Sequence, residues 1–139
     1  MLNSEELINK IKSYNRFLNP DRLQKAYNFA IKAHENQKRH SGDPYSIHPI
    51  AVADILTELR LDSATITTGL LHDTIEDTHA TYETIKTEFG QEVADLVNGV
   101  TKISVFENQA RTNSKAENFR KLILATSKDI RVLLVKVAD

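Results

Sequence analysis

Apolar residues recur at helical spacing along most of the chain. Leu7, Ile8 and Ile11 mark a short first helix, with Asn3 or Ser4 as its cap. Asn19-Pro20 reads as a cap followed by a proline at the first helical position. The helix it opens carries Leu23, Ala26, Tyr27, Ala30 and Ala33 on one stripe and is expected to run to about Gln37. Gly42 and Pro44 then interrupt the pattern and predict a loop over Lys38–Tyr45. Ile50, Val52, Ala53, Ile55, Leu56 and Leu59 form the next helix, with Pro49 in its first turn. Asp62 or Ser63 caps another, carrying Ile66, Leu70 and Leu71 and continuing through His72-Asp73-Thr74-Ile75-Glu76-Asp77. Thr81 is a further cap, Ile85 and Phe89 a packing edge, and Gly90 the stop. Val93, Leu96, Val97 and Val100 restart the pattern. Ile103 to Ser114 is polar with little periodicity and reads as a mobile loop; helical spacing resumes at Ala116, Phe119, Leu122, Ile123 and Thr126.

The segment Ile130–Asp139 is rich in β-branched residues and admits a buried parallel strand. No other segment reads as a strand, and one strand makes no sheet. A buried helix is therefore expected, and the fold class is all-α. There is no internal repeat, no glycine-rich nucleotide fingerprint and no Walker motif.

The chemistry concentrates in Leu70–Asp77. Read as helix, Glu76 lies four residues after His72, and Asp77 four after Asp73, so these groups share neighbouring parts of one face. His72 and Asp73 diverge by about 100° around the axis at 3.6 residues per turn, and both can still reach one ion lying between them. Three carboxylates and an imidazole so close repel one another, and a bound cation relieves the repulsion. The plain alternative is a solvated acidic helix end with a core histidine. Upstream, Lys38-Arg39-His40-Ser41-Gly42-Asp43-Pro44-Tyr45 places cations beside an aromatic ring. Arg39 there can pair with a phosphate or stack on a base, although an ordinary basic turn has the same composition. His48 sits at a helix start.

Composition narrows the classes. A chain of 139 residues normally makes one domain with a true core. A net charge of −1 draws it neither to DNA nor to an anionic membrane. Without cysteine there is no disulfide, thiolate nucleophile or zinc–thiolate site. The start, Met1-Leu2-Asn3-Ser4-Glu5-Glu6, lacks the pattern of a secretory signal, and no apolar run has membrane-spanning length. The cytoplasm is the default location.

The order His48, His72-Asp73, Asp139 resembles the H…HD…D pattern of the HD metal-dependent phosphohydrolase superfamily. Arg39–Pro49, Leu70–Thr78, Gly99-Val100-Thr101-Lys102 and Ala116–Lys121 are similar to the hydrolase domain of RelA/SpoT proteins, and the resemblance runs from about Asp21 to Asp139. It implies one HD domain, an all-helical bundle over 21–139 preceded by an N-terminal helix within 1–18. It further implies Mn²⁺ held by His48, His72, Asp73 and Asp139, and removal of pyrophosphate from the ribose 3′ position of (p)ppGpp. Two imidazoles and two carboxylates suit such an ion. Glu76 and Asp77 match the acidic pair that orients or activates water. Arg39 matches the residue packing on guanine, and Ser41, Tyr45 and Lys102 lie in segments near the nucleotide.

In the family, the residue matching Asp139 is followed by an Arg-Leu-His-Asn-Met-Arg-Thr-like stretch and further helices. The resemblance therefore implies a bundle that is incomplete at its C-terminal side, with Asp139 prone to fraying. It also implies apolar surface over Ile130–Val137 open to self-association or a partner chain. Weak turnover is expected on that ground. The alternatives to an active hydrolase are a remnant that binds metal or nucleotide or complements a partner chain, and a helical interaction module without a site.

Overall fold

The computed structural model describes residues 2–109, 117, 120, 124 and 129–139. Among these, α1 spans Ser4–Lys12, α2 Pro20–Ala33, α3 Ile47–Glu58, α4 Ser63–Leu71, α5 Thr74–Asp77, α6 Tyr82–Phe89, α7 Gln91–Gln109 and α8 Arg131–Ala138. No strand occurs among the described residues; Lys38 and Pro44 make an isolated bridge. The fold is all-α, and Ile130–Asp139 takes the helical alternative rather than the strand.

Local chemistry explains most of the boundaries. Asn3 accepts from the Glu6 amide, Asn19 from the amides of Asp21 and Arg22, Asp62 from that of Thr65, and Thr81 from that of Thr84. Each satisfies amide donors that a helix start leaves unpaired. Gly90, at φ 92°, separates α6 from α7 in a conformation that an L side chain rarely adopts. Three boundaries differ from expectation. α2 stops at Ala33 with His34 as its C-cap, short of Gln37. The run through His72–Asp77 is broken, for α4 ends at Leu71 and α5 starts afresh at Thr74. The predicted loop after Ile103 is helix as far as Gln109; Ile103 is buried and continues the Val93-Leu96-Val97-Val100 stripe. The remainder of that expected loop lies outside the described residues, as does most of the helical spacing expected from Ala116 to Thr126.

α4 is the centre of the bundle. Every residue from Thr65 to Leu71 is buried, and the helix packs on α2, α3, α7 and α8. A helix apolar around its circumference belongs in a core. Its threonines fit because Thr68 Oγ1 donates back to the Ala64 carbonyl and Thr65 Oγ1 to Asp62. Gly69 admits the close approach of α3, since a Cβ there would lie 2.6 Å from Leu56 Cδ1. α8 runs in the same sense as α7, with Val132 against Gly99 and Lys136 Nζ 3.4 Å from Ser104 Oγ. Val132 and Val135 are buried, whereas Ile130 and Val137 are exposed, so only part of the Ile130–Val137 face lies open. Three ends thus meet: the C-terminus of α4, the first turn of α3 and the last turn of α8.

Candidate functional site

His72 is the buried member of the site. It caps α4, and its Nδ1 lies 2.6 Å from the Gly69 carbonyl. Nδ1 therefore donates, so Nε2 is the nitrogen that can offer a lone pair to a cation once it gives up its own proton. Nε2 is buried without an aligned hydrogen bond, yet it lies 3.0 Å from Asp73 Oδ2 and 3.3 Å from Asp139 Oδ1. His48, from the first turn of α3, places Nε2 2.6 Å from Asp139 Oδ1 and 3.7 Å from Asp73 Oδ2. One ligand atom from each of His48, His72, Asp73 and Asp139 falls within 4.8 Å of the others.

Asp139 is tied to α8 by backbone and side-chain contacts. Its amide donates to the Val135 carbonyl at 3.0 Å, and its carboxylate also meets Lys136 Nζ at 3.1 Å. Lys136 was not singled out from sequence, although its spacing of three residues from Asp139 is the signal for such a pair.

The electrostatics follow from this crowding. Burial would lower His72, but the carboxylates of Asp139 and Asp73 overcome it and push the imidazole up to about 10. Burial opposes ionisation of Asp73, yet the His72 imidazolium holds it below the usual carboxylate range. His48 and then His72 hold Asp139 far below that range. Two imidazoles and two carboxylates converging on one point, with the buried His72 Nε2 aimed there, fit a divalent cation that displaces the imidazolium proton. The hydrogen bond to Gly69 is the outer support that such a histidine ligand needs.

Around this cluster, the Tyr45 hydroxyl lies 3.0 Å from both Asp73 Oδ2 and Asp77 Oδ2 and can donate its one proton to either. Burial and then the two carboxylates raise the phenol, so it stays protonated. Glu76 is exposed and pushed upward, first by burial and then by the charges of Asp77 and Asp73. Arg39 and Ser41 line an open hollow of about 450 Å³ with Lys38, His40 and Tyr45. The turn beneath it is closed by Gly42, whose amide donates to the Arg39 carbonyl at φ 88°. Ser41 Oγ bonds Asp43. Among the described residues Arg39 pairs with no carboxylate. Lys102 does not join this group; it lines a different hollow with Asp95, Asn98, Gly99 and Val132.

A helical domain that gathers two histidines and two aspartates in this order is that of the HD domain, whose family model matches residues 26–139; the chain belongs to that family. It is 50% identical over its whole length to the GTP pyrophosphokinase rsh of Brucella melitensis, of which it spans 18%. It is 52% identical over 118 residues, 85% of the chain, to the bifunctional (p)ppGpp synthase/hydrolase SpoT of Escherichia coli K12, of which that match spans 17%. A solved structure, described as a metazoan ortholog of SpoT that hydrolyzes ppGpp and plays a role in starvation responses, superposes with a TM-score of 0.65 at 30% identity, covering 84% of this chain and 65% of that one. The chain therefore spans under a fifth of the curated relatives. No helix among the described residues is long and apolar enough to cross a membrane.

Proposed function

We propose that this chain is the catalytic core of a Mn²⁺-dependent hydrolase that removes the 3′-pyrophosphate of (p)ppGpp, a cytoplasmic guanosine nucleotide, without recourse to DNA or membrane. The observation that carries this reading is the convergence of His48, His72, Asp73 and Asp139 within 4.8 Å. The relatives named for (p)ppGpp hydrolysis support the choice of substrate.

In this reading those four residues hold the ion. When bound, it supplies Lewis acidity toward a phosphoryl oxygen and lowers the pKa of water. Glu76 and Asp77 take the proton of the attacking water or hold that water in line. Glu76 is the candidate for proton exchange, because burial and its acidic neighbours shift its carboxyl upward. Arg39, without a carboxylate partner in the open hollow, presents a planar cation to the guanine or a phosphate. Ser41 and the adjoining Lys38 and His40 add donors on the same rim. Lys102 acts at most from the edge, as an added positive charge.

Product analysis tests this. Phosphorus NMR of ppGpp incubated with the protein and Mn²⁺ is expected to show GDP and pyrophosphate. Release of orthophosphate, or loss of the 5′-diphosphate, contradicts the reading. Glu76→Gln and Asp77→Asn are each expected to slow turnover by about 10²–10⁴-fold, the usual contribution of general acid–base catalysis.

A further inference from the structure

We infer that Tyr45 is a positioning residue: together with His34 and Gln37 it forms a bracket that aims the Asp77 carboxylate, and it does not serve as a nucleotide contact. This rests on the reading that Asp77 takes part in hydrolysis.

Asp77 is gripped at two points. Its carboxylate accepts the Tyr45 hydroxyl at 3.0 Å. Its backbone carbonyl accepts from the Gln37 side-chain amide. These two grips are tied to each other. His34 Nδ1 lies 2.8 Å from Gln37 Oε1, and the His34 ring lies against that of Tyr45 with centroids 4.7 Å apart. The Tyr45 amide also donates to the Gln37 carbonyl at 3.0 Å. With Gln37 Nε2 committed to Asp77, Oε1 is the acceptor, so His34 Nδ1 is the donor.

The bracket stands where the chain needs one. Asp77 ends α5, a helix of four residues that cannot hold a side chain in place by its own cooperativity. His34 is 1% exposed, and its Nε2 has no hydrogen-bond partner. An apolar side chain would fill that place without burying an unpaired nitrogen. What the imidazole adds is the bond to Gln37 and a flat face for Tyr45. The Tyr45 hydroxyl has one proton and two carboxylates within reach. It therefore stands between Asp73, in the metal-binding set, and Asp77 outside it, with its proton available to either carboxylate.

The test combines kinetics with a metal-free measurement. Tyr45→Phe keeps the ring on His34 and removes only the hydroxyl. It is expected to lower kcat about 10–100-fold, as loss of an outer support does, with KM for ppGpp within about twofold. Gln37→Leu should do the same. His34→Asn, which can still donate to Gln37, should recover more kcat than His34→Leu. In the metal-free protein, Tyr45→Phe, Asp77→Ala and the double variant should melt non-additively, the double variant losing less than the sum. Additive melting would overturn the bracket, as would a Tyr45→Phe enzyme with a raised KM and unchanged kcat. If the wild-type protein fails to hydrolyse ppGpp, the proposed function falls and the melting cycle alone decides the bracket.

Discussion

Gly99→Ala tests how the packing of α8 sets the candidate metal centre from a distance. A Cβ at this position would lie 2.8 Å from Val132 Cγ2 and 3.1 Å from Val132 Cγ1. Carbon atoms in contact settle at about 3.5–4.0 Å, so α8 must retreat by roughly 0.7–1.2 Å. Val132 cannot rotate clear, because both of its methyls face Gly99 and the side chain is buried. Overpacking of this kind costs about 1–3 kcal/mol, and replacing a helical glycine by alanine returns about 0.8–1.0 kcal/mol. The net loss is about 0–2 kcal/mol, roughly 4 °C of Tm per kcal/mol for a chain of this size. The consequence for the site is larger. Asp139 follows Val132 on the same segment, roughly 10 Å along a helix at 1.5 Å per residue, and a site of this kind tolerates only about 0.5 Å of displacement. Mn²⁺ affinity is expected to fall about 10–100-fold, the scale seen when support of a ligand is lost, while Tm falls by no more than about 8 °C. Parallel thermal melts and Mn²⁺ titrations check this. An alanine variant that melts higher and binds Mn²⁺ as wild type would refute the argument that Gly99 seats α8.

Arg39→Ala is expected to weaken nucleotide binding and leave Mn²⁺ affinity near wild type, while Arg39→Lys, which keeps charge but loses the planar face, restores affinity only in part; loss of Mn²⁺ affinity in Arg39→Ala would assign the loop to the fold instead. His72 is raised from 6.5 to about 10 by Asp139 and Asp73 against the effect of burial. Its contribution to the metal-free protein is therefore full below pH 6.5 and is lost as pH rises through about 10. Metal-free Tm should decline from pH 7 to 10, and Mn²⁺ uptake near neutrality should release a proton, read by calorimetry in buffers of different ionisation enthalpy. A flat Tm profile with no proton release contradicts the His72–carboxylate coupling.

Much of the fold was legible because it is written locally. Asn19-Pro20, Asp62, Thr81 and Gly90 each act on neighbouring backbone, and each sits at a helix boundary in the structure. The break after Leu71 was not legible, since no glycine or proline marks it. Two side chains make it: His72 Nδ1 takes the Gly69 carbonyl, and Thr74 Oγ1 donates to the Leu71 carbonyl. Such side-chain bonds compete with the helical ladder, and α5 starts afresh at Thr74. The stretch after Ile103 looked like a loop because it is polar, yet the helix continues past the buried Ile103 to Gln109. At the site, the residue types and the H…HD…D order were visible in the chain. The contacts were not, for the Tyr45 hydroxyl reaches carboxylates 28 and 32 residues away and His48 meets Asp139 across 91. No local pattern encodes such distances. They follow from α4 placing its end between the first turn of α3 and the last of α8.

Metal-dependent hydrolysis at the His48–His72–Asp73–Asp139 cluster is tested most directly by turnover of ppGpp by the wild-type chain and by His72→Ala, each with Mn²⁺ and with a chelator, alongside the metal content of both proteins. Pyrophosphate release is expected from the wild-type protein only with Mn²⁺, with neither turnover nor stoichiometric Mn²⁺ in His72→Ala. Hydrolysis that survives the chelator, or a His72→Ala protein that binds Mn²⁺ and turns over as wild type, would contradict it.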